Sequence, residues 1–194
     1  MNTTNPFIQF HQWHGLAMER EVKANAMTLA TVSAHGQPSI RTVALAEFDQ
    51  DLGFVFYTDY TSQKANEMAH NPKVALLFYW PNLYRQVRIN GVAAKTSAAI
   101  SDKYFYQRAK EKQLSAILSH QSAILPDVDE LRNLYAQKAE HLMDLEIERP
   151  ETWGGYAIKP TRFEFWLGSE VRLHTRTVFE QDARGVWISY HIQP

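Results

Sequence analysis

Residues 26–58 read AMTLATVSAHGQPSIRTVALAEFDQDLGFVFYT, and this stretch decides the fold class. Apolar and polar residues alternate through residues 28–32 and again through residues 40–45, and an aromatic, β-branched run follows at residues 54–58, as is typical of strands. Turn-forming residues separate the runs at His35–Pro38 and at Asp49–Gly53. Neither connection has room for a crossover helix, so we predict a meander of three antiparallel strands.

The flanking sequence predicts helices and further strands. Helical spacing or capping residues predict helices at residues 7–24, from Thr61 or Ser62 to Asn71, from Ser97 to His120 with a break near residues 109–111, and at Asp127–Met143. Strands are predicted at residues 73–80, 84–96, 154–160, 161–168, 170–181 and 185–192, with a hairpin turn at residues 182–185. Strands, then helices, then strands predict an α+β fold whose antiparallel sheet closes into a barrel.

Composition and charge exclude several classes of protein. The chain has 194 residues, 45% of them hydrophobic and 21% charged, so we expect a single globular domain over residues 1–194. Twenty basic and twenty-one acidic residues leave a net charge of -1, which gives no reason to expect a nucleic acid or membrane partner. The absence of cysteine excludes disulfides, thiolate nucleophiles and zinc–thiolate sites, and favours the cytoplasm.

Aromatic residues make up 12% of the chain, with ten Phe, nine Tyr and five Trp. One interpretation is an aromatic β-sheet core. The other is an interface or a site for a flat ligand, because Tyr and Trp bring a polar atom along with an apolar ring. Composition leaves both interpretations open.

Familiar catalytic motifs are missing from the sequence. It contains no Gly-rich phosphate loop, no G-x-S-x-G elbow and no H-E-x-x-H. His11 and His14 have the spacing of metal ligands on a helix, but no acidic residue lies near them in the sequence. We therefore predict no metal site.

Cationic residues interrupt several predicted strands and one helix start. They stand at Arg41, at Ser62–Lys64, at Arg85–Arg88 and at Arg172–Arg176, where residues 172, 174 and 176 would share one face of a strand. A charged side chain in a half-buried strand needs a partner, and arginine binds phosphate through two hydrogen bonds. Ion pairs and solvent exposure explain each cation separately, whereas a phosphorylated ligand explains them together.

The chain resembles the pyridoxamine/pyridoxine 5′-phosphate oxidase family from residue 5 to residue 194. The matching stretches include ATVSAHGQPSIRTV, VFYTDYTSQKA, NPKVALLFYW, RQVRINGVA, DKYFYQR, SHQSAIL, WGGY, FEFWLGSEVRLHTR and the terminal IQP. The resemblance implies a six-stranded split β-barrel with flanking helices. It also implies a homodimer that binds two FMN at the subunit interface, with both chains contributing to each site.

Carried over by position, the resemblance implies a set of FMN-binding residues. The set is Arg41, Thr42, Val43, Tyr57, Thr58, Gln63, Lys64, Gln86, Gln121, Ser122, Trp166 and Arg176. Elementary chemistry agrees in part. Arg41, Lys64 and the helix start at Ser62 offer phosphate donors, and glutamine amides can both donate to and accept from a flavin ring.

The implied substrate site contains Tyr104, Arg108, Lys112, Arg172 and His174, with Arg172 and His174 as the catalytic pair. The implied reaction oxidises pyridoxamine or pyridoxine 5′-phosphate to pyridoxal 5′-phosphate while molecular oxygen is reduced to hydrogen peroxide. On a continuous helix, Lys112 would lie one turn beyond Arg108 on the same face.

Three positions depart from the family pattern. Ala46 stands where the family has a lysine, Gln63 where it has an arginine and Lys112 where it has a serine. The first two departures resemble the phenazine-biosynthesis branch, whose FMN enzymes oxidise a reduced aromatic intermediate. A flavin- or haem-binding split-barrel protein without vitamin B6 activity is a third interpretation.

Overall fold

The computed structural model describes residues 5–142 and 145–194. The helices are α1 (Pro6–Arg20), α2 (Gln63–His70), α3 (Ala98–Gln107), α4 (Lys110–Leu118) and α5 (Val128–Leu142), with a 3-10 turn at Pro81–Leu83. The strands are β1 (Ala26–Val32), β2 (Pro38–Ala44), β3 (Glu47–Asp49), β4 (Gly53–Asp59), β5 (Lys73–Trp80), β6 (Arg85–Lys95), β7 (Trp153–Leu167), β8 (Thr175–Gln181) and β9 (Trp187–Ile192). No helix within these ranges is both long and apolar enough to cross a bilayer.

The sheet is antiparallel and curls back on itself. Its strand order is β2-β1-β5-β6-β7-β4-β3, so β2 and β3 lie at opposite ends of the path. Only Leu45 and Ala46 separate these two strands in the chain, and the sheet therefore has to curl until its ends meet. If β2 and β3 are counted as one interrupted strand, six strands surround the core, which confirms the predicted α+β antiparallel architecture.

The long strand β7 changes one of its partners along its length. Its residues 153–158 pair with β4 and its residues 162–167 pair with β8, which forms the terminal hairpin with β9. The register against β6 shifts beside Gly91. A Cβ at that glycine would lie 2.6 Å from the Lys159 carbonyl oxygen, so only glycine permits this close approach. The two strands predicted at residues 154–160 and 161–168 are therefore one strand that changes partner.

Phenylalanines fill the barrel, and α1 closes one side of it. Phe10 is fully buried, and its ring lies 4.8 Å from Phe54 and 5.0 Å from Phe78. Phe7 of the same helix contacts Phe163 of β7 at 5.4 Å. These contacts confirm the aromatic-core interpretation for the phenylalanines.

Three predicted boundaries need correction or restriction. The first helix ends at Arg20 instead of residue 24: Glu21 is its C-cap residue with an extended backbone, and the Glu21 carboxylate accepts a hydrogen bond from the Asn82 N–H at 2.8 Å. The long central helix breaks at Arg108 and Ala109, so the break overlaps the predicted region of residues 109–111 and begins one residue earlier. Met143, the predicted end of the last helix, lies outside the described residues.

Candidate active site

Two adjoining cavities open on the same side of the barrel. The first, which we call the β2 cavity, has a volume of about 680 Å³ and is lined by β2, β4, α2 and residues 121–122. The second, the α3–α4 cavity, has a volume of about 410 Å³ and lies between β4 and the two helices α3 and α4. Ala44, Tyr57, Thr58 and Gln121 line both cavities, so the two spaces share a wall.

Nine of the twelve predicted FMN residues line the β2 cavity. They are Arg41, Thr42, Val43, Tyr57, Thr58, Gln63, Lys64, Gln121 and Ser122. They come from three separate parts of the chain, and the curl of the sheet brings these parts together. The sequence-based grouping is therefore a spatial grouping in this structure.

Alternation along β2 turns Arg41 inward. Residues of this strand alternate between exposed and half-buried, so that Ile40 is 73% exposed while the Arg41 side chain is only 19% exposed. Arg41 donates to the Leu29 carbonyl at 3.2 Å, to the Thr31 hydroxyl and to the Glu67 carboxylate at 3.1 Å. A cation in the barrel wall is thus paired with a buried anion.

Sequence reasoning missed Glu67. Its side chain is 7% exposed, and its carboxylate accepts hydrogen bonds from Thr31, Ser39, Arg41 and Gln63. Burial alone would raise the pKa of Glu67, but these hydrogen bonds outweigh burial and lower the pKa to about 2. The available signal was its position four residues after Gln63 on the same helix, which places both residues on one face.

Lys64 is buried beside the shared wall. Its Nζ donates to the Gln121 side-chain carbonyl at 2.8 Å and to the Thr58 hydroxyl at 3.2 Å. Burial, followed by the charge of Arg41, lowers the pKa of Lys64. Ser62, at the start of α2, makes no side-chain capping bond, so first-turn N–H groups are left for another acceptor. The β2 cavity therefore concentrates donors and positive charge.

The α3–α4 cavity is built around stacked aromatic rings. Tyr57 and Tyr104 lie 3.8 Å apart with an interplanar angle of 3°, and Trp153 stacks on Tyr57 at 5.3 Å. Burial, together with the charge of Glu47, raises the pKa of Tyr57, so its hydroxyl stays protonated. Phenylalanines thus fill the core while these rings line a cavity, and a site for a flat ligand stays a prediction.

Arg108 also lines the α3–α4 cavity and lacks a full set of partners. Its guanidinium carbon lies 4.6 Å from the centre of the Trp153 ring, and burial lowers its pKa. Its Nη1 atom is buried and has no hydrogen-bond partner among the described residues. A buried donor without a partner is costly, so this group is suited to an anionic ligand.

Lys112 lines the same cavity, but it lies on a different helix from Arg108. The predicted helix break is present, so the two residues do not lie on one continuous helix: Arg108 is the C-cap residue of α3, and Lys112 lies in the first turn of α4. The break nevertheless leaves both cations in the wall of the α3–α4 cavity. Ala46 lines neither cavity.

The other three predicted FMN residues form a separate group on β6, β7 and β8. Trp166 pairs with Gln86 on one side and with Arg176 on the other, and its ring lies 4.7 Å from that of His174. We call these four residues the β7–β8 cluster. None of them lines either cavity.

Arg176 is held by a buried carboxylate. Its Nε and Nη2 atoms donate to Glu164 at 2.9 and 2.7 Å, and its Nη1 atom donates to the Gln193 carbonyl at 3.0 Å. Glu164 is 2% exposed and also pairs with Arg88 and Arg162. Burial alone would raise the pKa of Glu164, but the arginines outweigh burial and lower it. Arg88 is thus explained by an ion pair rather than by a ligand.

The prediction that residues 172, 174 and 176 share one strand face is wrong. β8 begins at Thr175, and Arg172 lies in the preceding turn with φ 62°, exposed to solvent. This turn is closed by a hydrogen bond from the Arg172 N–H to the Ser169 carbonyl at 3.1 Å. The Ser169 N–H donates to Nδ1 of His174 at 3.1 Å, so a neutral His174 ring carries its proton on Nε2.

The two histidines of α1 have structural surroundings. His14 bonds to the Asn25 side chain at 2.6 Å, and His11 packs 6.0 Å from the Phe48 ring. No group of three or more potential ligands that could hold a metal ion occurs among the described residues.

Two family models match the chain. The model described as pyridoxamine 5′-phosphate oxidase matches residues 17–141. The model described as the pyridoxine 5′-phosphate oxidase C-terminal dimerisation region matches residues 153–194. Together they include both cavities and the β7–β8 cluster.

Curated relatives carry the corresponding name. The pyridoxine/pyridoxamine 5′-phosphate oxidase of Leptospira interrogans is 42% identical over 192 residues, which cover 98% of this chain and 89% of the relative. The enzyme of the same name from Crocosphaera subtropica is 49% identical over 173 residues, which cover 89% of this chain and 80% of the relative.

Solved structures agree on the fold. PhzG from Burkholderia lata, in complex with tetrahydrophenazine-1-carboxylic acid, superposes with a TM-score of 0.93 at 30% identity, over 100% of this chain and 94% of that one. A pyridoxamine 5′-phosphate oxidase-related, FMN-binding protein from Nostoc punctiforme has a TM-score of 0.77 at 20% identity, over 95% of this chain and 97% of that one. From the family models and the near full-length relatives we conclude that this chain belongs to the pyridoxamine 5′-phosphate oxidase family.

Proposed function

We propose that the protein is an FMN-dependent oxidase that converts pyridoxamine and pyridoxine 5′-phosphate to pyridoxal 5′-phosphate. Oxygen takes two electrons and two protons to form hydrogen peroxide; the amine substrate also consumes water and releases ammonia. The observation that carries the proposal is the β2 cavity, whose lining includes nine residues of the predicted FMN set. Relatives that are 42–49% identical carry the name of this activity.

The donors of the β2 cavity fit an FMN phosphate. Arg41 and Lys64 supply positive charge, and the uncapped start of α2 adds backbone N–H groups. The side-chain amides of Gln63 and Gln121 add donors and acceptors. When bound, FMN supplies the two-electron redox chemistry.

A homodimer completes the proposed flavin site. Gln86, Trp166 and Arg176 lie outside the β2 cavity of their own chain, although they belong to the same predicted FMN set. Trp166 and Arg176 fall within the segment that matches the dimerisation-region model. We infer that the β7–β8 cluster of each subunit completes the β2 cavity of the other.

The α3–α4 cavity is the proposed substrate site. Arg108 and Lys112 would neutralise the substrate phosphate, and Tyr104 lines the same wall. Because its Nδ1 atom accepts from Ser169, His174 presents an Nε2–H donor, so we assign His174 to orienting the substrate. Arg172 lies in the exposed turn two residues before His174, and it would contact the substrate together with His174.

The proposal takes residues 1–194 as one FMN-binding domain. It includes the cytoplasmic location that the cysteine-free sequence favours. The partners are the phosphorylated pyridine substrate, molecular oxygen and a second copy of the chain.

Oxidation of a reduced tricyclic aromatic is the second candidate function. It is favoured by the likeness to PhzG, whose structure holds tetrahydrophenazine-1-carboxylic acid, together with the departures at Ala46 and Gln63. Against it stand Arg108 and Lys112 in the α3–α4 cavity, which suit a phosphate.

An absorption spectrum and a peroxide assay test the proposed function. We expect the protein loaded with FMN to produce hydrogen peroxide and pyridoxal 5′-phosphate from either B6 phosphate. Flavin binding with turnover of only the reduced phenazine would favour the second candidate. Failure to bind FMN would overturn both.

Arg176 and Arg172 should have separable roles. A charge-assisted hydrogen bond contributes about 1.5–3 kcal/mol, so Arg176→Ala should weaken FMN binding about 10- to 100-fold in a fluorescence titration. Arg172→Ala should leave FMN affinity unchanged and reduce turnover, because Arg172 lies in the turn before β8. An equal loss of FMN affinity in the two variants would contradict this division.

Lys112 should contribute to phosphate binding. Lys112 is exposed, and exposed ion pairs contribute about 0.2–1 kcal/mol, so Lys112→Ser should raise the KM for pyridoxine 5′-phosphate about 1.4- to fivefold. The effect should shrink as ionic strength rises and should be absent for unphosphorylated pyridoxine. Lys103→Ser is the matched control, since Lys103 is an exposed lysine of α3 that lines neither cavity. Identical KM values for Lys112→Ser and the control would exclude Lys112 from the site.

A further inference from the structure

Glu67 lies behind the wall of the β2 cavity. It belongs to α2, its side chain is 7% exposed, and it does not itself line the cavity. No role for it follows from the predicted FMN or substrate residues. A buried carboxylate this close to a proposed phosphate site needs a physical explanation, because Coulomb repulsion between the two anions opposes binding.

The carboxylate joins residues of the cavity wall. Its Oε1 atom accepts from the Ser39 hydroxyl at 2.8 Å and from the Gln63 amide at 2.9 Å. Its Oε2 atom accepts from Arg41 at 3.1 Å and from the Thr31 hydroxyl. Ser39, Arg41 and Gln63 all line the β2 cavity, so one anion connects three side chains of its wall.

The same bonds determine which Arg41 donors remain free. Glu67 takes one N–H of Nη2, while Nη1 donates to Leu29, Thr31 and Ser39. Among the described residues, Nε and the second N–H of Nη2 have no protein partner. Two donors of a fixed guanidinium are therefore left for a ligand, which lowers the entropy lost when an anion binds.

We propose that Glu67 is a positioning residue that orients Arg41 and Gln63 to bind the phosphate of the flavin. This inference rests on the proposed function and adds to it a role for a residue that does not touch the ligand. The gain from a preorganised guanidinium outweighs the repulsion between the carboxylate and the phosphate. At neutral pH the carboxylate is ionised, in keeping with its pKa of about 2.

Glu67→Gln tests the proposal because it keeps the size of the side chain and removes the charge. The amide oxygen can still accept from Arg41 and the amide nitrogen can donate to Ser39 or Gln63, so the change removes the charge that strengthens the bond to Arg41. We expect FMN affinity to fall about tenfold or more, while the affinity for riboflavin, which lacks the phosphate, changes less than about threefold. Both affinities are measured by quenching of flavin fluorescence.

The change in FMN affinity, compared with that in riboflavin affinity, distinguishes positioning of Arg41 from charge repulsion and from a purely structural role. Unchanged or tighter FMN binding would mean that repulsion dominates, and would overturn the proposal. Equal losses for FMN and riboflavin would mean that Glu67 only maintains the fold, and would overturn it as well. Wild-type protein that binds no FMN would overturn the proposed function itself, so the two failures are distinguishable.

Two further variants keep the proposal falsifiable if Glu67→Gln does not fold. Thr31→Val retains the shape of a fully buried side chain and removes the hydroxyl that links Glu67 to Arg41. It should lower FMN affinity selectively, though less than Glu67→Gln. In a double-mutant cycle, Arg41→Gln combined with Thr31→Val should cost less than the sum of the two single changes, whereas full additivity would contradict action through Arg41.

Discussion

The sheet has to curl because two strands at its opposite ends are joined by only two residues. β2 and β3 flank Leu45 and Ala46, and they are the first and last strands in the order of the sheet. This closure brings Arg41 on β2 close to the β4–α2 segment and to residues 121–122, so that one cavity has walls from three separate parts of the chain. The aromatic interior fixes the curvature, since Phe10 of α1 packs against strands from both halves of the sheet. The proposed flavin site is a consequence of closure.

Closure also places cations where water cannot solvate them freely, and buried carboxylates balance their charge. Glu67 does this for Arg41, and Glu164 does it for Arg176. Each carboxylate is almost fully enclosed, and each has a pKa below its ordinary value because its hydrogen bonds outweigh burial. Removing either one would leave an unpaired cation, which is more costly than the loss of an exposed ion pair. Both arginines thereby have a fixed orientation before any ligand arrives.

Sequence predicted the elements more completely than the contacts between them. The strand at residues 73–80 has the predicted bounds. Every second side chain along it is buried, as is typical of a strand with one face on the core. Residues 172–174 were assigned to a strand but precede β8, because Arg172 adopts a left-handed backbone conformation that residue type does not predict. Glu67 was missed because its spacing from Gln63 indicates a shared helix face but does not show that this face is buried. The sequence also does not show that the β7–β8 cluster lies apart from the two cavities, because that separation depends on how the strands pair.

The division of the flavin site between two subunits is the central claim, and complementation between two defective chains measures it directly. One chain carries Arg41→Gln in its β2 cavity, and the other carries Arg176→Ala in its β7–β8 cluster. In the purified heterodimer, a shared site places both lesions in one cavity and leaves the other intact, so about one FMN should bind per heterodimer with wild-type affinity. Each mutant homodimer should bind FMN weakly. A heterodimer that binds no better than its parents would contradict the account, because each cavity would then depend on residues of its own chain alone.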